Sequence, residues 1–276
     1  MRSFLLILLL LCADTLFAQD CIGAQMYSTE AYQFGRFEVA MRSAAGAGVV
    51  SSFFLYNLDL DCNWPAENNE LDIEMTGNTE VLYFTTHYPG PIFYTDIYTP
   101  SFNPHNAIHE YAFEWEPGVV RWFVDGALVN VQDQAYVEDL VFPMRIMMNL
   151  WASDATTWVG NWDPSIMPVS SEYDYVRYYA YTPGNGSVGT GNNFSPAWQD
   201  NLNSFNPDRW VVEQDAQIPG SYCRFRQSSV EWSNGKMTFL LEEPPANPEA
   251  VPVTFSVNTE GLDLSSGDVI NLNGSF

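Results

Sequence analysis

The stretch that most constrains this chain is Asn68-Asn69-Glu70-Leu71-Asp72-Ile73-Glu74-Met75-Thr76-Gly77-Asn78. Three carboxylates stand two residues apart with Leu71, Ile73 and Met75 alternating between them. That period predicts a β-strand with acids on one face and apolar side chains on the other. Like charges along one strand face repel, and β-branched or aromatic residues would be favoured there, so the row costs stability unless the face is a working site. The bland alternative is a solvated edge strand whose acids keep the protein soluble.

Strand geometry says what the work could be. With a rise of about 3.3 Å per residue, the Cα atoms of Glu70 and Glu74 fall roughly 13 Å apart. Glutamate side chains can lean together across that gap and bring their carboxyls to about 5–6 Å, near the spacing of the two acids in a retaining glycosidase and below the roughly 6.5–9.5 Å of an inverting one. Asp72 between them would raise the proton affinity of one neighbour and orient the other. Spacing alone does not say which glutamate takes which role.

The rest of the chain reads as short alternating runs punctuated by turns. Tyr32 to Arg42, Val49 to Tyr56, Val81 to Tyr88, His109 to Trp115, Val119 to Val124, Ala127 to Val131, Met144 to Trp151 and Ser171 to Tyr181 are predicted strands, and Asp125-Gly126 is a hairpin signal. No stretch has a long helical period. About ten strands over roughly 200 residues predict two packed antiparallel sheets, a β-sandwich or jelly roll. The sequence carries 34 acidic residues against 10 Lys plus Arg, a formal charge of −24, which argues against nucleic acid or an anionic membrane as partner. Nine Trp and fifteen Tyr exceed what a core requires, and aromatics exposed in a groove are what sugar rings stack on.

At the ends, residues 1–18 hold one arginine and an apolar run from Phe4 to Leu11, with a cut expected after Ala18, so they read as a secretory signal. Export outside the cell or to the periplasm follows. Cys12 leaves with the signal, and Cys21, Cys62 and Cys223 remain for an oxidising compartment. Beyond Glu243, Pro244-Pro245-Ala246-Asn247-Pro248 reads as a stiff linker leading to the opening strands of a further β-module within 244–276.

Glu70-Leu71-Asp72-Ile73-Glu74 resembles the active-site signature of family 16 glycoside hydrolases, in the form shared by bacterial lichenases. Tyr32 to Val39, Val50 to Phe54, His109 to Gly118, Trp122 to Gly126, Met147 to Trp151 and Glu172 to Val176 resemble lichenase blocks in the same order. The family's opening strands are missing from the front. Asp200 to Trp210 and Val230 to Leu240 resemble them at the back, after a Gly-, Asn- and Ser-rich linker over 182–196. The resemblance therefore implies a circularly permuted jelly roll over 19–243, its linker spanning roughly 20 Å.

The resemblance also implies roles. Glu70 would be the nucleophile, Glu74 the acid/base and Asp72 the carboxylate that tunes them. Trp151 and Trp158 match tryptophans of the sugar cleft, Phe54 and Tyr56 match ring-stacking positions, and His87 stands where relatives touch the sugar near the cleavage point. Asp20-Cys21 and Tyr222-Cys223 match a disulfide of relatives, implying Cys21–Cys223 with Cys62 left over. No cofactor is implied for catalysis. A structural calcium is implied at Asp174, Asn201 and Gly235. The implied activity is retaining endo-hydrolysis of mixed-linkage β-1,3-1,4-glucan by a monomer. β-1,3-Glucan hydrolysis of the laminarinase type, glucan transglycosylation and a non-catalytic glucan lectin are the alternatives. Two departures bear on substrate. Asn68 replaces the Trp that lichenases usually carry two residues before the nucleophile, and the loop Asp215 to Tyr222 lacks the aromatic and asparagine that shape their far subsites; Trp64-Pro65-Ala66 and His87 are features of laminarinases.

Overall fold

A computed structural model describes residues 21–57, 68–90 and 92–245. The leader, Cys62, Trp64-Pro65-Ala66 and nearly all of 244–276 lie outside the described residues. In chain order the strands are β1 (Cys21–Tyr32), β2 (Gly35–Arg42), β3 (Val49–Tyr56), β4 (Glu70–Thr76), β5 (Leu82–Tyr88), β6 (Ile92–Tyr98), β7 (His109–Glu116) and β8 (Val119–Val124). There follow β9 (Ala127–Gln132), β10 (Met144–Ala152), β11 (Val169–Tyr181), β12 (Phe194–Asp200), β13 (Trp210–Val212), β14 (Cys223–Phe225), β15 (Val230–Ser233) and β16 (Lys236–Leu241). A single α-helical turn, α1 (Thr156–Val159), interrupts them.

The strands form two eight-stranded sheets. One runs β13-β1-β10-β3-β4-β5-β6 with β14 pairing β1, and the other runs β15-β16-β11-β2-β7-β8-β9 with β12 pairing β11. Antiparallel neighbours dominate both, as the alternating runs predicted, and β14 is a parallel partner of β1. This is the two-sheet jelly-roll sandwich expected from the sequence.

Period-2 alternation decides which side chains fill the space between the sheets. Leu71, Ile73 and Met75 on β4 are fully buried and join Phe53 and Leu55 from β3, Phe84 from β5 and Ile146, Met148 and Leu150 from β10. Facing them are Phe37 and Val39 from β2, Phe113 and Trp115 from β7, Trp122 from β8 and Tyr173 from β11. Each large apolar side chain withdrawn from water contributes about 1.5–3 kcal/mol. Two polar ties fix the sheets near the acidic strand. Trp122 Nε1 donates to the Asp72 carbonyl at 3.2 Å, and Tyr173 OH donates to the Ser52 and Asn149 carbonyls at 3.2 and 3.3 Å.

The turns follow their chemistry. Asp125 and Gly126, at φ 48° and 76°, close the β8–β9 hairpin, and Asn234 and Gly235, at φ 51° and 77°, close β15–β16. Three sequence readings need correction. The run from Tyr32 to Arg42 is broken at Gln33-Phe34, where Phe34 has φ 61°, so Tyr32 ends β1 and Gly35 begins β2. β6 was not foreseen, because Gly90 and Pro91 before it and Pro100 after it read as loop. The 182–196 linker is shorter than its composition suggested: β12 begins at Phe194, which is buried and pairs with Tyr181. The remaining loop joins two adjacent antiparallel strands and is held by the Thr190 amide donating to Glu114 Oε1 at 3.1 Å.

Candidate functional site

The acidic row lies on the face of β4 turned away from the core. Register sets Glu70 between Tyr56 and His87, Asp72 between Phe54 and Thr85, and Glu74 between Ser52 and Tyr83. β10 continues the rows with Arg145 beside Tyr56, Met147 beside Phe54 and Asn149 beside Ser52. All three carboxylates share one cleft of about 410 Å³ with Phe54, Tyr56, Trp151, Ser52, Asn149 and Gln25. The loop residues Ala216, Gln217, Ile218 and Pro219 form its far wall. Glu74, Trp151, Trp158 and His87 line an adjoining recess of about 460 Å³ on the β5–β6 side. Every residue that the sequence reading assigned to catalysis or sugar contact thus lines one of these two adjoining cavities.

The electrostatics follow from placing three acids side by side in poor solvent. Asp72 is 3% exposed, and burial raises its proton affinity well above the ordinary carboxylate range. Burial, reinforced by Asp72, also lifts Glu70 well above its ordinary value, against the opposing pull of His87. Glu74 is pushed up to about 8, chiefly by burial and then by Asp72. His87 Nε2 lies 3.3 Å from Asp72 Oδ2 and 3.8 Å from Glu70 Oε2. His87 opposes the upward shift of both Glu70 and Glu74. Such a cluster titrates as a unit. It can present a carboxylate and a carboxylic acid together near neutral pH.

The aromatics differ in how far they commit to the cleft. Trp151 packs with Val50, Val159 and Phe225 while still lining the trough. Trp158, placed by α1, crosses Tyr83 edge-on at 5.9 Å between ring centroids. The sequence reading passed over Gln25, Ser52, Met147 and Asn149. Parity would have found most of them, because Ser52 shares a face with Phe54, and Met147 and Asn149 with Trp151. Among the described residues, Ser52 Oγ and Asn149 Oδ1 are buried with no hydrogen-bond partner, two unsatisfied acceptors on the cleft floor.

Two metal questions arise. Among the described residues, ligand atoms of Glu70, Asp72 and His87 lie within 4.8 Å of one another, a grouping that could hold a cation. The calcium residues implied by the resemblance lie elsewhere. On the side of β11 away from β2, β16 pairs residues 169–173 and β12 pairs 176–181, so Asp174 falls in the break. Asn201 follows the last β12 pair, Val176 with Asp200, and Gly235 precedes Lys236 in the β15–β16 turn. Register sets all three at the same stretch of β11. Cys21 and Cys223 form a disulfide at a Cα separation of 4.5 Å, in the parallel β1–β14 pair.

The fold and the site define a class: an antiparallel β-sandwich that carries an acidic, aromatic-walled trough across one sheet. The chain belongs to the glycosyl hydrolases of family 16, whose family model matches residues 12–177, more than half of it. The β-glucanase of Fibrobacter succinogenes is 34% identical over 207 residues, 70% of this chain and 56% of its own length. That of Bacillus subtilis is 36% identical over 162 residues, 58% of this chain and 63% of its own. The chain therefore spans less than two thirds of either relative. The crystal structure of a native glycosidic hydrolase, 28% identical, superimposes over 59% of this chain and 79% of its own with a TM-score of 0.51.

Proposed function

We propose that this protein is a secreted endo-β-glucanase that hydrolyses mixed-linkage β-1,3-1,4-glucan with retention of configuration. The observation that carries the reading is that Glu70, Asp72 and Glu74 share one cleft while Glu74 holds its proton to about pH 8. The names and sequences of the β-glucanase relatives support it. Glu74, protonated at neutral pH, gives its proton to the glycosidic oxygen, and Glu70 attacks the anomeric carbon to form a glycosyl-enzyme. Glu74, now a base, activates water to release it. Asp72 stands between the two glutamates and raises the proton affinity of both, and the aromatic walls hold the sugar rings. Ser52 Oγ and Asn149 Oδ1 would accept hydrogen bonds from sugar hydroxyls.

The proposal extends to three features that serve the fold. The leader exports the chain, consistent with the Cys21–Cys223 disulfide. Asp174, with backbone carbonyls of Asn201 and Gly235, would hold a calcium that ties β12 and β16 to β11 and takes no part in the chemistry. The order of strands is permuted, with β13 to β16 as the family's opening segment. Its support is that these strands complete both sheets, pairing β1 and β11.

Hydrolysis of β-1,3-glucan is the second reading, favoured by His87 against Asp72 and by Trp64 just upstream of the acids in the sequence. Assay of the purified protein on barley β-glucan, lichenan, laminarin and xyloglucan, with linkage analysis of the products, separates the two. The first reading expects rapid release from barley glucan and lichenan and little from laminarin. Release from laminarin alone would overturn the linkage, and release from none of the four would overturn the hydrolase.

A further inference from the structure

A separate recess lies where the chain passes from β12 in one sheet to β13 in the other. The loop between them, residues 201–209, borders a cavity of about 390 Å³ that shares no lining residue with either cavity of the trough. Its volume falls within the about 300–1,000 Å³ usual for small-ligand sites. Gln199, Asn203, Ser204, Asn206 and Arg209 make it mainly polar, and Phe205 adds one ring. β13 is the edge strand of the acid-bearing sheet. At about 3.3 Å per residue, Arg209 in the recess and Glu213 in the trough stand about 13 Å apart along it. The recess therefore lies just beyond one end of the trough.

The charged groups of the recess are committed to holding the loop. Asp200 accepts from the Leu202 amide and from Trp210 Nε1, both at 3.0 Å, and lies 3.6 Å from Arg209 Nε. The Arg209 guanidinium covers the Trp198 ring at 4.0 Å. What remains for a ligand is neutral. The side-chain oxygens of Asn203 and Asn206 accept from Ser204 Oγ at 3.5 Å and from the Asp208 amide at 3.1 Å, and among the described residues their amide nitrogens make no hydrogen bond. Phe205 is 39% exposed, and Trp232 on β15 backs its ring at 5.4 Å between centroids. A phenylalanine ring left in water forgoes favourable burial, and one held by a second ring offers a fixed platform. Free amides beside such a platform suit a polyhydroxyl ligand. Asp200 next to Arg209 and a chain charge of −24 disfavour an anion.

We propose that this recess is a second saccharide-binding site, in which Phe205 stacks on a pyranose ring and the amides of Asn203 and Asn206 donate to its hydroxyls. The choice of β-glucan as the saccharide rests on the glucanase reading above. A polymer held at the recess enters the trough at a raised effective concentration, an advantage that a substrate too short to reach both places does not gain. The recess thus lowers KM for the polymer and leaves kcat alone.

The test compares wild type with Phe205→Ala, Phe205→Tyr, Asn203→Ala and, as a control on the opposite edge of the sheet that carries Trp232, Leu128→Ala. Each is assayed on barley β-glucan and on an aryl glycoside of a mixed-linkage trisaccharide. Phe205→Ala should raise KM for the polymer about 3–10-fold, in line with one lost stacking contact, with kcat within about twofold. Asn203→Ala should raise it about 2–5-fold, and Phe205→Tyr and Leu128→Ala should stay within about twofold of wild type. None of the four should change the kinetics on the trisaccharide. In the Glu70→Ala background, which stops turnover during the run, native gels containing barley glucan, laminarin or xyloglucan should retard the protein less once Phe205→Ala is added. Equal KM and equal retardation with and without Phe205→Ala overturn the site and leave the glucanase standing. So does an equal loss on polymer and trisaccharide, which makes Phe205 a support of the fold. Failure of wild type to cleave any of the glucans overturns the glucanase alone; the site then stands if Phe205→Ala weakens retardation by one of the three polymers and falls if it weakens none.

Discussion

Replacing Glu74 by glutamine separates the electrostatics of the cluster from its chemistry. In the fold, burial and Asp72 push the Glu74 carboxyl up from an ordinary 4.5 to about 8, with His87 opposing. A carboxyl that binds its proton more tightly folded than unfolded favours the fold below its unfolded value, and that contribution is lost as the pH rises through the folded one. Wild type therefore loses stability between about pH 4.5 and 8. At 1.36 kcal/mol per pH unit the whole difference is about 5 kcal/mol. Glu74 still meets water in the cleft and the three acids titrate together, so about 1–3 kcal/mol is the expected share. Glutamine has nearly the same shape and never ionises, which removes the loss. For a chain of this size 1 kcal/mol moves Tm by about 2–4 °C. Scanning calorimetry should find wild type and Glu74→Gln melting together near pH 4, and the variant melting about 3–10 °C higher near pH 8. Its turnover should fall about 10²–10⁴-fold. A Tm offset that does not change with pH, or a variant no more stable than wild type at pH 8, would refute the reasoning.

The nucleophile assignment predicts that Glu70→Ala abolishes turnover and that azide rescues it with inverted product; activity close to wild type would sink the assignment. Because His87 opposes the upward shifts of both Glu70 and Glu74, His87→Gln should move both limbs of the kcat/KM pH profile to higher pH. A profile that stays in place assigns His87 to sugar contact alone. Cys21 and Cys223 are separated by 202 residues, a loop whose closure is worth up to about 5 kcal/mol on the chain-entropy model. Cys21→Ser with Cys223→Ser should therefore lower Tm markedly without changing kcat. EDTA should lower the Tm of wild type, and Asp174→Ala should abolish that sensitivity; an equal drop in both would place the calcium elsewhere.

The sequence disclosed most of the fold because its alternation is strict wherever one strand face meets the core. Leu71, Ile73 and Met75 are buried and the acids between them line the cleft, as the period required. What it hid were elements whose local chemistry points elsewhere. β6 is an edge strand flanked by Gly90, Pro91 and Pro100, and its exposed Ile92, Phe93, Tyr94 and Ile97 blur the alternation that marks a buried face. Phe194 and its neighbours follow a run rich in Gly, Asn and Ser, so composition masked the start of β12. Only pairing with β11 makes it a strand.

The site was legible for a different reason and incomplete for the same one. Charged residues in a strand announce themselves, since nothing but function repays their mutual repulsion, and Glu70, Asp72 and Glu74 stood out at once. Neutral polar residues carry no such signal: Ser52 and Asn149 read as ordinary members of apolar strands. Their meaning comes from register, which sets Gln25, Asn149, Ser52 and Glu74 in one line across four strands. Among the described residues, burial then leaves Ser52 Oγ and Asn149 Oδ1 without a hydrogen-bond partner. An unpaired buried acceptor costs about 1–3 kcal/mol, a cost that hydrogen bonds from sugar hydroxyls would offset when the trough is filled. The line runs across the strands and ends at Glu74.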